Sequence, residues 1–419
     1  MSGDSPVKLS ICIPTYNREA YLRNALEYCE GFAFSFPYEI VISDNASTDG
    51  TESMVAEFIE RGLPIRYFRR AVNGGATPNQ INAFQHALGE YTIYLADDDL
   101  LIAPEVENVV RYLDENPDVV AAHAPWTIYD EVQDLDLSQF YAVAADRKFE
   151  RRDFFEMFCF LFEGHIFPEI AIVRSSAMRS AWVPRELCFY AFSHLAHFLD
   201  MGAVTFLKTP FYRSVAVSKI APSRQQAGFD DVVTSWDRYR GGLEYFLHIG
   251  AKRGVIDMSD ESRIAYDQMC RHFMMVRMGV AIRFWFARKD YIKAYELCAR
   301  MIFAGHGDNV EVTKVADTLP AMVGLQTLAG KVGAMTGIER LILDGMTDPE
   351  MVAELLQDLG VPTEVAIVAE EPEGLSAEAL IEGSIVFVSE EARREHYLAK
   401  GYRPTVIFSD LDLTQHVLL

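Results

Sequence analysis

Tyr91-Thr92-Ile93-Tyr94-Leu95-Ala96 runs directly into Asp97-Asp98-Asp99. The first six residues read as a strand, and three adjacent carboxylates mark the point where that strand leaves a sheet. The same pattern recurs toward the N-terminus. Leu9-Ser10-Ile11-Cys12-Ile13-Pro14 is a short apolar run ended by proline, and residues 18–32 then set Ala20, Leu22, Ala25, Leu26 and Cys29 near helical spacing. Glu39-Ile40-Val41-Ile42-Ser43 reads as a second strand, the polar residues 44–50 as its carboxyl-end loop, and residues 51–61 as a helix with Met54, Val55, Phe58 and Ile59 apolar. Ile65-Arg66-Tyr67-Phe68 is a third strand; the loop Asn73-Gly74-Gly75 and a helix over 78–88 lead back to the starting stretch. Strands alternating with helices imply a mostly parallel sheet, hence an α/β fold.

On the C-terminal side Pro104 opens a helix through about residue 116, and residues 119–123 form a fifth strand. Residues 130–212 are aromatic and irregular and end near the strand candidate Val204-Thr205-Phe206-Leu207; they are expected to complete the sheet and shape a pocket. Helical periodicity dominates from about 230 to 337. The last eighty residues alternate again, with strands at 340–343, 365–368, 385–388 and 405–408. The expected organisation is a first α/β domain over 1–228, a helical extension over 229–337 and a small α/β accessory domain over 338–419.

A chain of 419 residues needs more than one core. With 61 Asp and Glu against 38 Lys and Arg, its net charge of −23 excludes a nucleic-acid binder, which needs a basic surface. The six cysteines, at 12, 29, 159, 188, 270 and 298, lack zinc-site or disulfide-framework spacing. The N-terminal residues lack the pattern of a secretory signal, so a cytoplasmic location is expected, with the inner face of the membrane as an allowed station. Residues 319–337 are apolar but contain Lys331 and several glycines, and read as a buried or peripheral helix.

In an open α/β sheet ligands collect at the carboxyl ends of strands. Thr15, Asn17 and Arg18 follow strand one, Asp44 and Asn45 strand two, Asn73 strand three and the acidic trio strand four. Taken alone, the trio also fits a solvated turn, Asp44 an Asx turn, and Arg18 a helix start. The ordered set Ile13-Pro14-Thr15-Tyr16-Asn17-Arg18, the loop from Ser43-Asp44-Asn45 to Thr51, Asn73-Gly74-Gly75 with Asn79, and Gly89-Glu90-Tyr91 leading to the trio resembles the family 2 glycosyltransferases with the GT-A nucleotide-binding fold. The resemblance covers about the first 125 residues. It implies a nucleotide-sugar donor, with Asp97 toward the ribose, Asp99 as main ligand of a Mg²⁺ or Mn²⁺ ion, Asp98 contributing, and Asp44 on the base. Pro14, Thr15, Tyr16, Arg18, Asn73 and Asn79 are expected to line the same pocket. A metal fits the chemistry, because the leaving nucleoside diphosphate gains negative charge as the glycosidic bond breaks.

Most members of this family invert the anomeric centre and carry their base in a Glu-Asp pair on a helix before the last strand. The corresponding stretch, residues 192–200, has none. His194 is the expected base, since an imidazole accepts a proton near neutral pH. His197, one turn on, would share its face and could turn to the metal or a phosphate; His165, Glu169 and Asp200 are rivals. Arg213, Ser218, Lys219 and Arg224 form a basic stretch that could reach the diphosphate. The C-terminal unit has no glycine-rich phosphate loop and is expected to be accessory.

The expected function is therefore metal-dependent transfer of a sugar, with inversion, to a glycan, lipid-linked or protein acceptor, as in bacterial surface-polysaccharide assembly. Peripheral membrane association and a homo-oligomer through the C-terminal regions are compatible with the sequence. A nucleotidyltransferase needs a glycine-rich basic loop after strand one, which Pro14 to Arg18 do not supply. A catalytically degenerate binding or scaffold protein is the alternative from another class.

Overall fold

The structure is a computed structural model that describes residues 6–181, 187–221, 236–371 and 376–419. The chain divides into two compact units, the described residues up to Met274 and those from Met275 to Leu419.

The first unit contains, in chain order, β1 (Leu9–Thr15), α1 (Glu19–Cys29), β2 (Tyr38–Asp44), α2 (Thr51–Glu60), β3 (Ile65–Arg69), α3 (Ala76–His86), β4 (Tyr91–Tyr94), β5 (Leu100–Leu101), α4 (Ala103–Glu115), β6 (Val119–His123) and β7 (Thr127–Asp130). There follow β8 (Leu135–Gln139), β9 (Arg147–Phe149), α5 (Phe154–Gly164), β10 (Ala171–Arg174), α6 (Ser175–Ser180), α7 (Tyr190–Met201), β11 (Ala203–Phe206), β12 (Tyr212–Val217), α8 (Trp236–Lys252) and α9 (Asp260–Ala287), within which the division between units falls.

Eight strands form the main sheet in the order β3-β2-β1-β4-β10-β6-β11-β9. The pairs β1 with β2, β1 with β4, β2 with β3 and β6 with β11 are parallel, while β10 and β9 run against their neighbours. β1 occupies the middle of the parallel block. Its Leu9, Ile11, Cys12 and Ile13 are fully buried, the two-faced burial that crossover helices impose on a parallel strand. Pro14 is tolerated there because pairing with β4 stops at Cys12, so on that side no ladder bond needs its missing N–H.

Parallel pairing aligns strand ends. Thr15 lies opposite Asp44, and Asp44 opposite Arg69, so the loops after β1, β2 and β3 leave the sheet along one edge. At the opposite edge the buried Glu39 accepts bonds from Ser10 Oγ at 2.5 Å, the Leu88 N–H at 2.6 Å and Arg66 at 3.0 Å.

The stretch expected to be irregular is more ordered than its sequence suggests. It holds β8, β9 and β10 besides β11, and β10 is the antiparallel strand that joins β4 to β6. Four residues among aromatics are too few to carry a readable period. A second sheet, ordered β5-β12-β7-β8, draws on the same region.

The second unit contains α10 (Tyr291–Phe303), α11 (Val310–Val315), α12 (Leu319–Ala334), β13 (Arg340–Asp344), α13 (Pro349–Asp358), β14 (Ala366–Val368), α14 (Ala377–Gly383), β15 (Ser384–Val388), α15 (Arg394–Ala399), β16 (Ile407–Ser409) and α16 (Asp410–Thr414). Its parallel sheet, ordered β14-β13-β15-β16, buries Leu341, Ile342, Ile385 and Val386 against Leu328 and Val332 of α12 and Leu356 of α13. The apolar residues 319–334 thus form a helix packed on a sheet. Among the described residues no helix is long and apolar enough to cross a membrane. All six cysteines are free thiols.

Candidate active site

The loops at the carboxyl edge are tied together by amide side chains. Asn17 adopts a left-handed conformation (φ 51°), which asparagine tolerates better than most residues. This lets its N–H reach Ser47 Oγ at 2.9 Å and its Oδ1 accept the Thr48 N–H at 2.7 Å, joining the loops after β1 and β2. Asn79, on α3, donates to the Thr15 carbonyl at 3.1 Å and accepts from Ser43 Oγ at 2.6 Å. Asn73 Oδ1 accepts from Asn45 Nδ2 at 2.8 Å and from the Gly75 N–H at 2.9 Å. Asn45 Oδ1 in turn accepts from the Gly74 N–H at 3.0 Å and from Arg70 at 2.7 Å.

Asp44 is fully buried at the end of β2. Its Oδ1 accepts the Ser47 N–H at 2.9 Å, as a turn-forming aspartate does, and its Oδ2 accepts the Tyr67 hydroxyl at 2.5 Å. Burial first, and then Asp44, push the Tyr67 hydroxyl well above the usual phenol range, so it remains a donor.

The acidic trio lies at the same edge. Asp97 and Asp99 are only 6% and 8% exposed. Asp97 Oδ2 accepts the Thr15 hydroxyl at 2.8 Å, and its Oδ1 is 3.3 Å from Arg18 Nε, while a terminal nitrogen of Arg18 bonds Asp98 Oδ2. Asp99 faces the second sheet: its Oδ2 accepts the Tyr212 hydroxyl and its Oδ1 the Val215 N–H, both at 2.9 Å. The Tyr212 hydroxyl also accepts the Ala96 N–H at 3.1 Å. Thus Pro14, Thr15, Arg18, Asp44, Asn73, Asn79 and the trio converge on one edge, and Tyr16, next to Thr15, is 40% exposed. Among the described residues no group of three or more His, Cys, Asp or Glu side chains is arranged to hold a metal.

Residues 10–176 match the family described as Glycosyl transferase family 2. They form a family 2 glycosyltransferase domain. This glycosyltransferase domain is similar to abequosyltransferase RfbV of Salmonella typhimurium, 39% identical over 113 residues that cover 26% of this chain and 34% of that protein. It is also similar to the GalNAc(5)-diNAcBac-PP-undecaprenol beta-1,3-glucosyltransferase of Campylobacter jejuni, 31% identical over 109 residues, covering 26% of this chain and 35% of that protein. The matches thus span about a third of these relatives' length. Among solved structures, S. aureus TarS 1-349 in complex with UDP aligns with a TM-score of 0.48 at 14% identity, over 84% of this chain and 88% of that one. The mannosyltransferase PcManGT from Pyrobaculum calidifontis in complex with GDP-Man and Mn2+ aligns with a TM-score of 0.41 at 16% identity, over 76% and 82%.

The residues expected on the acceptor side lie in different surroundings. His194, on α7, borders a cavity of about 30 Å³ together with Glu169, Tyr190, Tyr94 and His123. His197 turns the other way and shares a 2.8 Å hydrogen bond with the Tyr245 hydroxyl. The two histidines therefore meet different partners. His165 packs 4.2 Å from the Phe273 ring, and Asp200 is held by Arg152 and Arg253. Of the basic stretch, Arg213 pairs with Asp136 through two 2.8 Å bonds, Ser218 and Lys219 contact the buried Glu131, and Arg224 lies outside the described residues.

Sequence reasoning missed Tyr212 and Val215, which anchor Asp99, and His123. Tyr212 and Val215 lie more than a hundred residues from the aspartate, and no local pattern links them to it. His123 is fully buried and stacked 4.9 Å from Phe206. Burial above all, with His194 adding to it and the Ile170 backbone opposing, lowers its pKa to about 3. It therefore stays neutral at working pH.

Proposed function

We propose that the chain is a sugar-nucleotide-dependent glycosyltransferase that moves a hexose, or a deoxy or amino sugar, onto a glycan or lipid-linked acceptor in polysaccharide assembly. The observation that carries this reading is the convergence of Thr15, Asp44, Arg18 and the acidic trio on one sheet edge. The relatives named as an abequosyltransferase and an undecaprenol-linked glucosyltransferase support the substrate class.

Buried hard-oxygen donors beside a single guanidinium suit Mg²⁺ or Mn²⁺, because each ionised carboxylate oxygen keeps a further lone pair beyond the bond it already accepts. In this reading Asp99 and Asp97 hold the ion, which supplies positive charge to the departing diphosphate. Asp44 and the loop after β1 hold the nucleoside. Asn79 and Asn45 keep those loops in place. On the acceptor side His194 takes the proton of the attacking hydroxyl, with inversion. A base acts directly or through one water, and the cavity beside His194 has room for about one water. Glu169 lines the same cavity.

Donor hydrolysis and transfer by Asp99→Ala test the reading: both should be lost with folding intact, and unchanged turnover refutes it. The small size of the cavity and the absent Glu-Asp pair favour one second reading, a protein that binds the donor without turning it over. Saturable nucleotide-sugar binding with no hydrolysis across UDP-, GDP-, CDP- and dTDP-linked sugars would establish it instead.

A further inference from the structure

The acidic trio is partly compensated from within. Both oxygens of Asp97 are taken by Thr15 and Arg18, one oxygen of Asp98 by Arg18, and both oxygens of Asp99 by Tyr212 and Val215. A divalent cation entering this arrangement would meet a guanidinium in contact with Asp97, one of the two carboxylates that would hold it, and with the neighbouring Asp98. The two cations compete for the same charge.

Arg18 sits at the rim of the trio, beside open space. Its side chain is 26% exposed, and the guanidinium rests 4.7 Å from the Tyr21 ring on the first turn of α1. That side of α1 borders an open groove of about 510 Å³ lined by Arg18, Tyr21, Asn24 and Lys219, which gives the side chain room to leave the aspartates. A planar guanidinium pairs with phosphate oxygens as readily as with carboxylates.

We propose that Arg18 is the resident counter-ion of the acidic trio, and that it passes from Asp97 and Asp98 to the donor's diphosphate when the metal takes its place. This inference rests on the donor-site reading given above. Each ligand favours the state in which Arg18 has left the carboxylates, so metal and nucleoside diphosphate bind with positive cooperativity. Without nucleotide the metal binds weakly.

Calorimetric titration of Mn²⁺ into the full chain, with and without saturating UDP, GDP, CDP or dTDP, tests this in the wild type, Arg18→Gln and Arg18→Lys. Arg18→Gln should bind Mn²⁺ alone about tenfold more tightly, the scale of one charge-assisted bond. It should also lose most of the mutual enhancement between metal and nucleotide. Its melting temperature should fall in EDTA and recover with Mn²⁺, because the aspartates then lack a counter-charge. Arg18→Lys keeps the charge without the fork, so it should retain wild-type Mn²⁺ affinity with reduced enhancement. Equal or weaker Mn²⁺ binding by Arg18→Gln, with wild-type enhancement in Arg18→Lys, overturns the exchange and leaves the donor site standing. If no variant binds Mn²⁺ even with nucleotide, the donor-site reading falls as well.

Discussion

Replacing Tyr212 by phenylalanine removes one oxygen from the second sheet and tests how the acid loop is held. The ring is fully buried and phenylalanine fills the same volume, so the cavity contribution is small. What is lost is a 2.9 Å charge-assisted bond to Asp99 and the acceptor of the Ala96 N–H. A hydrogen bond to a charged group is worth roughly 1.5–3 kcal/mol, and a buried donor left alone costs about 1–3 kcal/mol, offset in part by no longer burying the hydroxyl. A net loss of about 2–3 kcal/mol follows, or roughly 4–12 °C in the melting temperature of a unit of this size. Burial first, and then Asp99, raise the Tyr212 hydroxyl far above its ordinary range, so it stays protonated and the loss should be the same at pH 6 and pH 9. Scanning calorimetry in EDTA, reading the transition of the first unit, measures it. A variant within about 1 °C of the wild type would refute the claim that this hydroxyl holds the acid loop.

Other perturbations probe other links of the account. His194→Asn should lower the rate of transfer about 10²–10⁴-fold and remove the acid limb of its pH profile, while nucleotide affinity is unchanged; a retained acid limb counts against the imidazole as base. His123, neutral in the fold with a pKa of about 3 but free to protonate near 6.5 when unfolded, makes the unfolded chain bind more protons. Stability should therefore fall as pH drops from about 6.5 toward 3, by up to about 1.4 kcal/mol per pH unit from this group, and urea titrations of His123→Leu should show a shallower dependence. Gly89→Ala would bring a Cβ within 2.6 Å of the Ser10 backbone nitrogen and 2.8 Å of the Leu9 carbonyl carbon, at the start of the central strand. It should cost about 1–3 kcal/mol in urea unfolding, and a neutral result would mean that β1 and the turn before β4 shift freely.

The parallel half of the sheet was legible because its units are local. Each strand, its polar loop and its helix are contiguous from Leu9 to His123, and parallel pairing sets Thr15, Asp44 and the trio on one edge. The other half was not. β10 enters antiparallel between β4 and β6 with four residues, too short for a period of two to stand out among aromatics. The same distinction divides the site. The amide side chains that tie its loops, Asn17, Asn45, Asn73 and Asn79, sit on the loops and helix of the same run of strand–loop–helix units as the residues they serve, whereas Asp99 is held from Tyr212 and Val215 of the second sheet. The helical face suggested by His194 and His197 carried less than spacing implied, because α7 is buried around most of its circumference and the two imidazoles find partners on different sides.

The central claim is that the carboxyl edge of the main sheet binds a nucleotide-sugar through a divalent cation on Asp97 and Asp99. Calorimetry of UDP, GDP, CDP and dTDP with the full chain, in Mn²⁺ and in EDTA, for the wild type and Asp99→Ala, tests it most directly. The account predicts that one nucleotide binds saturably, that EDTA weakens it by at least about tenfold, and that the variant loses the Mn²⁺ dependence. Equal affinity in Mn²⁺ and EDTA, unaltered by the substitution, would contradict it.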